Sequence, residues 1–206
     1  MPRWKNTLQT ADEVSRLKRR AVLREAGRTF SRRGYHNTSL DEVAKSLNVS
    51  KGTLYNYVRD KQEILYECHQ MALDIGDQAL EEARQKDICP DETLRAFLLG
   101  YLTALFDEFG VCGVLTETDA LRPEDRKKIV TRRDRFEAEI VGMIKEGVES
   151  GSFRKVDAKL AAMNIMGAVN AIPRWFSPDG RLSNMEIAEA TIDFFFGGLL
   201  ARDSSG

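Results

Sequence analysis

Residues 51–57 carry a dense set of hydrogen-bonding groups. Apart from Leu54, they are Lys51, Gly52, Thr53, Tyr55, Asn56 and Tyr57. The lysine can donate to guanine acceptors, the threonine and asparagine can donate and accept, and the tyrosine hydroxyls suit phosphate oxygens. The glycine lets the backbone approach another surface closely. One tyrosine could simply pack, but the set as a whole favours contact with the major groove of double-stranded DNA.

Two predicted helices precede this stretch and would position it. The first runs from about Val14 to Arg33 and ends at Gly34, a natural left-handed stop. Its predicted inward residues are Val22, Leu23, Ala26 and Phe30. Ser39 and Glu42 form a capping box that opens the second helix. The apolar face of this second helix contains Leu40, Val43, Ala44 and Leu47.

The stretch itself is predicted to be a third helix. Residues 48–50 form a short turn, and Ser50 can cap a helix from Lys51 to Val58, with Leu54 and Val58 inward. Asp60 then begins a fourth helix whose first turn contains Lys61. A lysine is unfavourable at that end of the helix dipole, and a bound phosphate would compensate for it. A helix–turn–helix unit is the structure that this order predicts.

The charge distribution agrees with a DNA-binding head. The whole chain has 206 residues and a net charge of −1, which alone argues against a nucleic-acid partner. Its first 66 residues, however, contain 14 Lys/Arg and 7 Asp/Glu, a net of +7, and the remaining 140 have a net of −8. Such asymmetry indicates a polyanion-binding head on a separate acidic body, although chance variation could produce it.

Several other classes are disfavoured. No apolar run approaches the roughly 20 residues that span a bilayer, and the first residues lack the apolar segment of a secretory signal. Three scattered cysteines fit the reducing cytoplasm and predict neither a metal site nor a cofactor. The one carboxylate pair considered for catalysis, Glu117 and Asp119, would diverge on a helix, so we do not expect an enzyme.

Residues 20–65 resemble the DNA-binding domain of TetR-family transcriptional regulators. The matching positions are Ala26, Phe30, Gly34, Thr38–Ser39, Val43–Ala44, Val49–Ser50, Thr53–Tyr55, Tyr57 and Lys61–Leu65, with Gly27 as a mild departure. The resemblance implies a homodimer that binds a palindromic DNA operator, with residues 51–57 as the recognition helix. It also implies that Thr38, Ser39 and Lys61 contact phosphates.

The rest of the chain is predicted to be helical, giving an all-α protein of about nine helices. We expect a mobile basic arm at residues 1–13, the helix–turn–helix domain at 14–60, and a ligand-binding and dimerisation domain at 61–206. Predicted body helices run from Asp60 to about Gln85, from Asp91 or Thr93 to Phe109, from Val114 to Leu121, and from Pro123 to about Ser150. Two more run from Asp157 to about Phe176 and from Ser183 to about Leu200.

The last two helices combine small and large apolar residues. Consecutive phenylalanines at 194–196 cover more than one helix face, which favours packing against a second subunit over one deeply buried helix. The candidate dimer residues are Ala168, Ile187, Ile192 and Phe195. In TetR-like proteins the corresponding helices build a four-helix dimer interface.

A small-molecule pocket is also expected in the body. Its candidate residues are Phe97, Tyr101, Leu105, Phe109, Met166, Asn170, Arg174 and Trp175. Residues 167–183 resemble the C-terminal pattern of TetR-family members that sense acyl-CoA and related thioesters. The matches are Gly167, Asn170, Arg174, Trp175, Phe176, Pro178, Gly180, Leu182 and Ser183, and Ala171 and Pro173 depart from it.

Two alternatives stay open. The effector could be a lipophilic drug or cation, which carboxylates in the pocket would favour, whereas basic residues would favour an acyl-CoA. The body could instead bind a protein partner, in which case no apolar cavity is expected.

Overall fold

The computed structural model describes residues 11–109, 115, 117–177 and 179–201, and within them it contains eight α-helices. They are α1 (Ala11–Arg33), α2 (Leu40–Ser46), α3 (Lys51–Tyr55), α4 (Lys61–Arg84), α5 (Pro90–Phe109), α6 (Pro123–Glu149), α7 (Ala158–Trp175) and α8 (Asn184–Leu199). A short ninth helix was expected from Val114 to Leu121; Thr118–Ala120 forms a 3₁₀ turn there, and residues 114 and 116 lie outside the described part of the chain. The all-α prediction is confirmed.

The helix starts follow local capping chemistry. Ser39 and Ser183 each form a complete capping box, with Glu42 and Glu186 respectively. The Ser50 hydroxyl accepts from the Thr53 amide at 3.1 Å, and Asp60 and Asp157 cap α4 and α7. Gly34 and Gly151 have positive φ angles of 83° and 82° just after α1 and α6, as expected for helix stops.

Two helix boundaries in the N-terminal domain differ from the prediction. Helix α1 begins at Ala11, so residues 11–13 are helical and not part of an arm, while residues 1–10 lie outside the described part of the chain. Helix α3 ends at Tyr55, three residues before Val58. The inward residues expected for α1 are all buried, and Val43, Ala44, Leu54 and Val58 join them in one core.

Helix α4 packs against α1 of the N-terminal domain and against α5 and α6 of the body. Gly76 makes close packing possible here, since a Cβ at this position would lie 2.6 Å from the Phe136 ring of α6. Phe136 in turn contacts Phe97 and Tyr101 of α5, with ring centroids 5.7 Å apart in both pairs. The core of the body therefore forms around these aromatic rings.

Polar contacts join the N-terminal domain to the body. Arg19 of α1 forms ion pairs with Glu63 and Glu67 of α4, each at 2.9 Å. At the start of α4, the Gln62 side chain donates to the carbonyl of Ala120 at 2.5 Å and accepts from the Arg122 amide at 3.0 Å. These contacts fix the first turn of α4 to the segment that leads into α6.

Among the described residues, no helix has the length and apolarity to cross a membrane, and no cluster of three or more metal-binding side chains occurs.

Candidate nucleic-acid interface and effector cavity

The helix–turn–helix surface is built by α2, the turn after it and α3. Asn48 takes a left-handed conformation with φ of 55°, which an asparagine tolerates better than most residues, and this lets the chain reverse between the two helices. Gly52 and Asn56 are exposed, and Tyr55 is 47% exposed. Thr53 is partly buried, with its hydroxyl 2.8 Å from that of Ser50. Most of the predicted recognition set is thus presented to solvent.

The two tyrosines have different environments. Tyr57 is partly buried and packs against the core, whereas Tyr55 is exposed. This agrees with the expectation that one of them serves packing. An exposed ring with a hydroxyl has a free face for a partner, so Tyr55 is the better candidate for DNA contact.

Lys51 and Asp41 form an ion pair between the first turns of α3 and α2. Their side chains approach to 2.8 Å, and the hydrogen bond to Asp41 raises the pKa of Lys51. Both side chains are more than half exposed, so the pair contributes little to stability. Because the contact is weak, Lys51 can exchange its carboxylate partner for a phosphate or a base edge.

Lys61 bends back from the first turn of α4. Its Nζ lies 4.1 Å from the centroid of the Tyr35 ring and donates to the carbonyl of His36 at 3.4 Å. Partial burial lowers its pKa, against the attraction of Glu42. The aromatic ring therefore offsets the unfavourable helix dipole and holds the cation next to the loop that precedes α2.

The two hydroxyls expected to meet phosphates are placed differently. Ser39 is exposed at the start of α2, where it caps the helix. Thr38 is only 2% exposed, and its hydroxyl donates to the carbonyl of Gly34 at 2.9 Å. Thr38 therefore closes the turn after α1, and in this conformation it does not belong to the exposed surface.

A cavity of about 230 Å³ lies in the body between α4, α5, α6 and α7. Its lining comprises His69, Ala72, Leu73, Tyr101, Leu115, Val130, Arg133, Asp134, Phe136, Glu137, Ala162, Met163, Met166 and Asn170. The α4 and α5 residues of this set are buried, while Val130, Arg133, Asp134 and Met163 are exposed. The cavity therefore opens between α6 and α7.

Three of the predicted ligand residues, Tyr101, Met166 and Asn170, line this cavity. Phe97 and Leu105 are buried in the core outside the lining, and Phe97 stacks on Tyr101 at 5.9 Å. Trp175 is 60% exposed at the end of α7 and does not reach the cavity. The side chains of Phe109 and Arg174 fall outside the described part of the chain.

His69 was missed in the sequence. It is 2% exposed on α4, and its Nε2 has no hydrogen-bond partner among the residues that the structure describes. Burial, followed by the positive charge of Arg133, lowers its pKa to about 4. The signal was present, because His69 lies on the same helix face as Leu65, Ala72 and Gly76 and is the polar member of that face.

Helices α7 and α8 both contribute exposed apolar surface. Leu160 and Met163 on α7 and Met185 on α8 are each at least 45% exposed, and Phe194 on α8 is 79% exposed. Of the predicted dimer residues, Ala168 and Phe195 are partly buried, whereas Ile187 and Ile192 lie in the chain's own core. The two isoleucines are therefore core residues of one subunit, and Phe194 takes their place at the surface.

Comparison with known proteins matches both parts of this architecture. Residues 22–68 match the model of "Bacterial regulatory proteins, tetR family", and residues 87–199 match "Tetracyclin repressor-like, C-terminal domain". The chain is similar to the crystal structure of the TetR family transcriptional regulator PfmR from Thermus thermophilus. The identity is 35%, the TM-score is 0.74, and the match covers 88% of this chain and 99% of that one.

Two further proteins are similar to most of this chain. The HTH-type transcriptional repressor KstR2 of Mycolicibacterium smegmatis is 24% identical, over 88% of this chain and 90% of its own length. The structure of AibR in complex with isovaleryl coenzyme A and operator DNA is 28% identical, with a TM-score of 0.72, over 87% of this chain and 98% of that one.

Proposed function

Because the chain belongs to the TetR family of bacterial transcriptional regulators, we propose that it is a cytoplasmic dimeric repressor and that an acyl-CoA releases it from its operator. The family comprises DNA-binding regulators and not enzymes. The observation that carries the proposal is the pairing of an exposed helix–turn–helix surface with an apolar cavity in the body. The cavity favours a small-molecule effector over an adaptor whose body binds only another protein.

The DNA contacts of this repressor come from Lys51 and Asn56 at the base edges and from Ser39, Tyr55 and Lys61 at phosphates. A dimer places two copies of α3 in successive major grooves roughly 34–36 Å apart, which requires a palindromic operator. The exposed apolar surface of α7 and α8 is the part of the chain that would be covered in such a dimer. Phe194 is its most exposed residue.

The effector class rests on three observations. AibR, which was crystallised with isovaleryl-CoA, resembles this chain over most of both lengths. Residues 167–183 carry the C-terminal sequence pattern described above. The cavity is smaller than the roughly 300–1,000 Å³ typical of sites for drug-sized ligands, which favours a short acyl group.

A second effector class has one observation in its favour. Asp134 and Glu137 line the cavity with a single guanidinium, Arg133, so the charged part of the lining is acidic overall. Lipophilic cations prefer such sites. Lys159 lies 3.8 Å from Glu137, and Arg133 donates to the Thr118 hydroxyl. Glu137 and Arg133 therefore both have a partner outside the cavity lining.

The cavity is connected to the DNA-binding domain through one segment. Arg133, in the lining, donates to the Thr118 hydroxyl at 2.9 Å, and two residues further on the Ala120 carbonyl accepts from Gln62 at the start of α4. Asp60, the cap of α4, pairs with Arg122 at 2.5 Å. An effector that displaces α6 would therefore pull on the first turn of α4 and change the spacing of the recognition helices.

Operator binding is tested with a duplex selected from a random-sequence library, measured by fluorescence anisotropy. Lys51→Ala removes a base contact and Tyr55→Ala a phosphate contact, and each should weaken binding about tenfold. Lys145→Ala, which removes an exposed lysine of α6, is the matched control and should have no effect. Affinity should also fall steeply as salt rises from about 50 to about 200 mM. Undiminished binding by both α3 variants would contradict the proposed interface.

The effector is tested by thermal shift and by release of the same duplex. Isovaleryl-CoA and octanoyl-CoA are compared with free CoA and with tetraphenylphosphonium, a lipophilic cation. A ligand present at about 100 times its Kd stabilises the folded protein by about 2.7 kcal/mol, which a melting curve resolves easily. Release of operator by the acyl-CoAs alone supports the proposal, and release by the cation alone replaces it with the second effector class.

A further inference from the structure

His69 is a buried polar group that neither the fold nor the DNA interface uses. It lies on α4 in the lining of the cavity, and its buried neighbours there include Ala72, Leu73 and Phe136, which are all apolar. Its Nε2 has no hydrogen-bond partner among the described residues. An unsatisfied buried donor or acceptor destabilises the folded state, and native proteins keep few of them. Because His69 is part of the cavity lining, a ligand atom that enters beside it is the natural partner for this nitrogen.

The charge state of His69 restricts what that partner can be. With a pKa of about 4, the imidazole is neutral at pH 7 and can donate one hydrogen bond from Nε2 in the corresponding tautomer. A charged ligand group would have to leave water to reach this buried, neutral imidazole, at a large cost. An uncharged carbonyl oxygen accepts this hydrogen bond without that cost. The acyl end of an acyl-CoA offers one such oxygen, that of the thioester.

We propose that His69 recognises the effector by donating a hydrogen bond from Nε2 to the carbonyl oxygen of its thioester. The acyl chain then lies against Phe136, Leu73 and Met166, and the CoA part leaves through the exposed side of the cavity beside Arg133. This assignment rests on the acyl-CoA effector proposed above, and it adds the residue and the ligand atom that determine recognition. It makes the site selective for thioesters over ligands in which the aliphatic chain has no carbonyl.

The test compares two ligands that differ only at this oxygen. Isovaleryl-CoA and its thioether analogue, in which a methylene replaces the carbonyl, are titrated calorimetrically into wild type and variants. Wild type should bind the thioester about tenfold more tightly. His69→Leu should bind the two ligands within about twofold of each other, and His69→Gln, whose amide can donate from a similar position, should keep part of the preference. Lys145→Ala, which removes an exposed lysine of α6 outside the lining, is the control and should keep the full preference.

A loss of folding cannot be mistaken for a loss of recognition in this comparison. His69→Leu removes an unpaired polar atom, so its melting temperature should equal or exceed that of wild type. Equal affinity of wild type for the two ligands, or a preserved preference in His69→Leu, would overturn the role of His69 and leave the acyl-CoA effector standing. If neither ligand binds wild type or releases operator, the proposed effector class is wrong and the role of His69 falls with it.

Discussion

Protonation of His69 should make the stability of this protein depend on pH. The pKa of this imidazole is about 4 in the folded chain, against 6.5 in an exposed one. Between these two values the unfolded state binds a proton that the folded state does not, so stability falls as the pH drops from about 6.5 to about 4. A difference of about 2.5 pKa units corresponds to roughly 3 kcal/mol once the pH is below both values. About 2.5 kcal/mol of it is already lost at pH 4.5.

Urea unfolding at pH 7.5 and pH 4.5 measures this effect. Carboxylates also titrate over that range, and the comparison therefore needs His69→Gln, which cannot be protonated but keeps the carboxylates. Wild type should lose roughly 2–3 kcal/mol more than His69→Gln between the two pH values. Met166→Leu, which changes the same cavity without changing its ionisation, should behave like wild type. Losses that agree within about 0.5 kcal/mol between wild type and His69→Gln would refute a buried neutral imidazole.

Three further predictions concern helix packing, dimer assembly and the coupling between effector and operator binding. Gly76→Ala brings a Cβ to 2.6 Å from the Phe136 ring and should destabilise the protein by about 1–3 kcal/mol in a thermal melt. Gly142→Ala, which has open space around it, is the control and should stabilise the protein by up to ~1 kcal/mol. Equal effects of the two substitutions would contradict the close packing at Gly76. Phe194→Glu should give monomers in sedimentation velocity and weaken operator binding, and an intact dimer would place the interface elsewhere. Gln62→Ala removes the contact between the start of α4 and the Ala120 carbonyl. The variant should bind isovaleryl-CoA normally but release operator less, and unchanged release would exclude this contact as the route of coupling.

The sequence predicted the starts of α2, α3, α4, α7 and α8 well, because each of them depends on a contact between residues three apart. Ser39 with Glu42 and Ser183 with Glu186 form the expected capping boxes, and Asp157 caps α7. Such hydrogen bonds join residues that are close in sequence, so the local pattern is enough to predict them. The end of α3 was less predictable: the spacing of Leu54 and Val58 fits a helix, but the chain leaves it after Tyr55 and still buries Val58.

The sequence could not decide which face of a helix stays exposed. Ile187 and Phe194 lie on the same apolar helix, and only packing against α5 determines that the first is buried and the second is not. Thr38 is similar, because a threonine before a capping serine can point to solvent or close a turn. His69 was overlooked for the same reason: a lone histidine on an apolar face is usually a satisfied core residue, and its unpartnered Nε2 becomes visible only when α6 and α7 are in place.

Helix α4 relates the two sites through its own geometry. Lys61 lies in its first turn beside the DNA-binding surface, and His69 lies eight residues later in the cavity, about 12 Å along the axis at about 1.5 Å per residue. A continuous helix moves as a unit, so a contact at His69 can tilt Lys61 and the helices packed on it. A hundredfold loss of operator affinity requires about 2.7 kcal/mol of preference for the released state. A tenfold gain from the His69 hydrogen bond supplies about half of that if it forms only in the released state, so apolar contacts with α6 must supply the remainder.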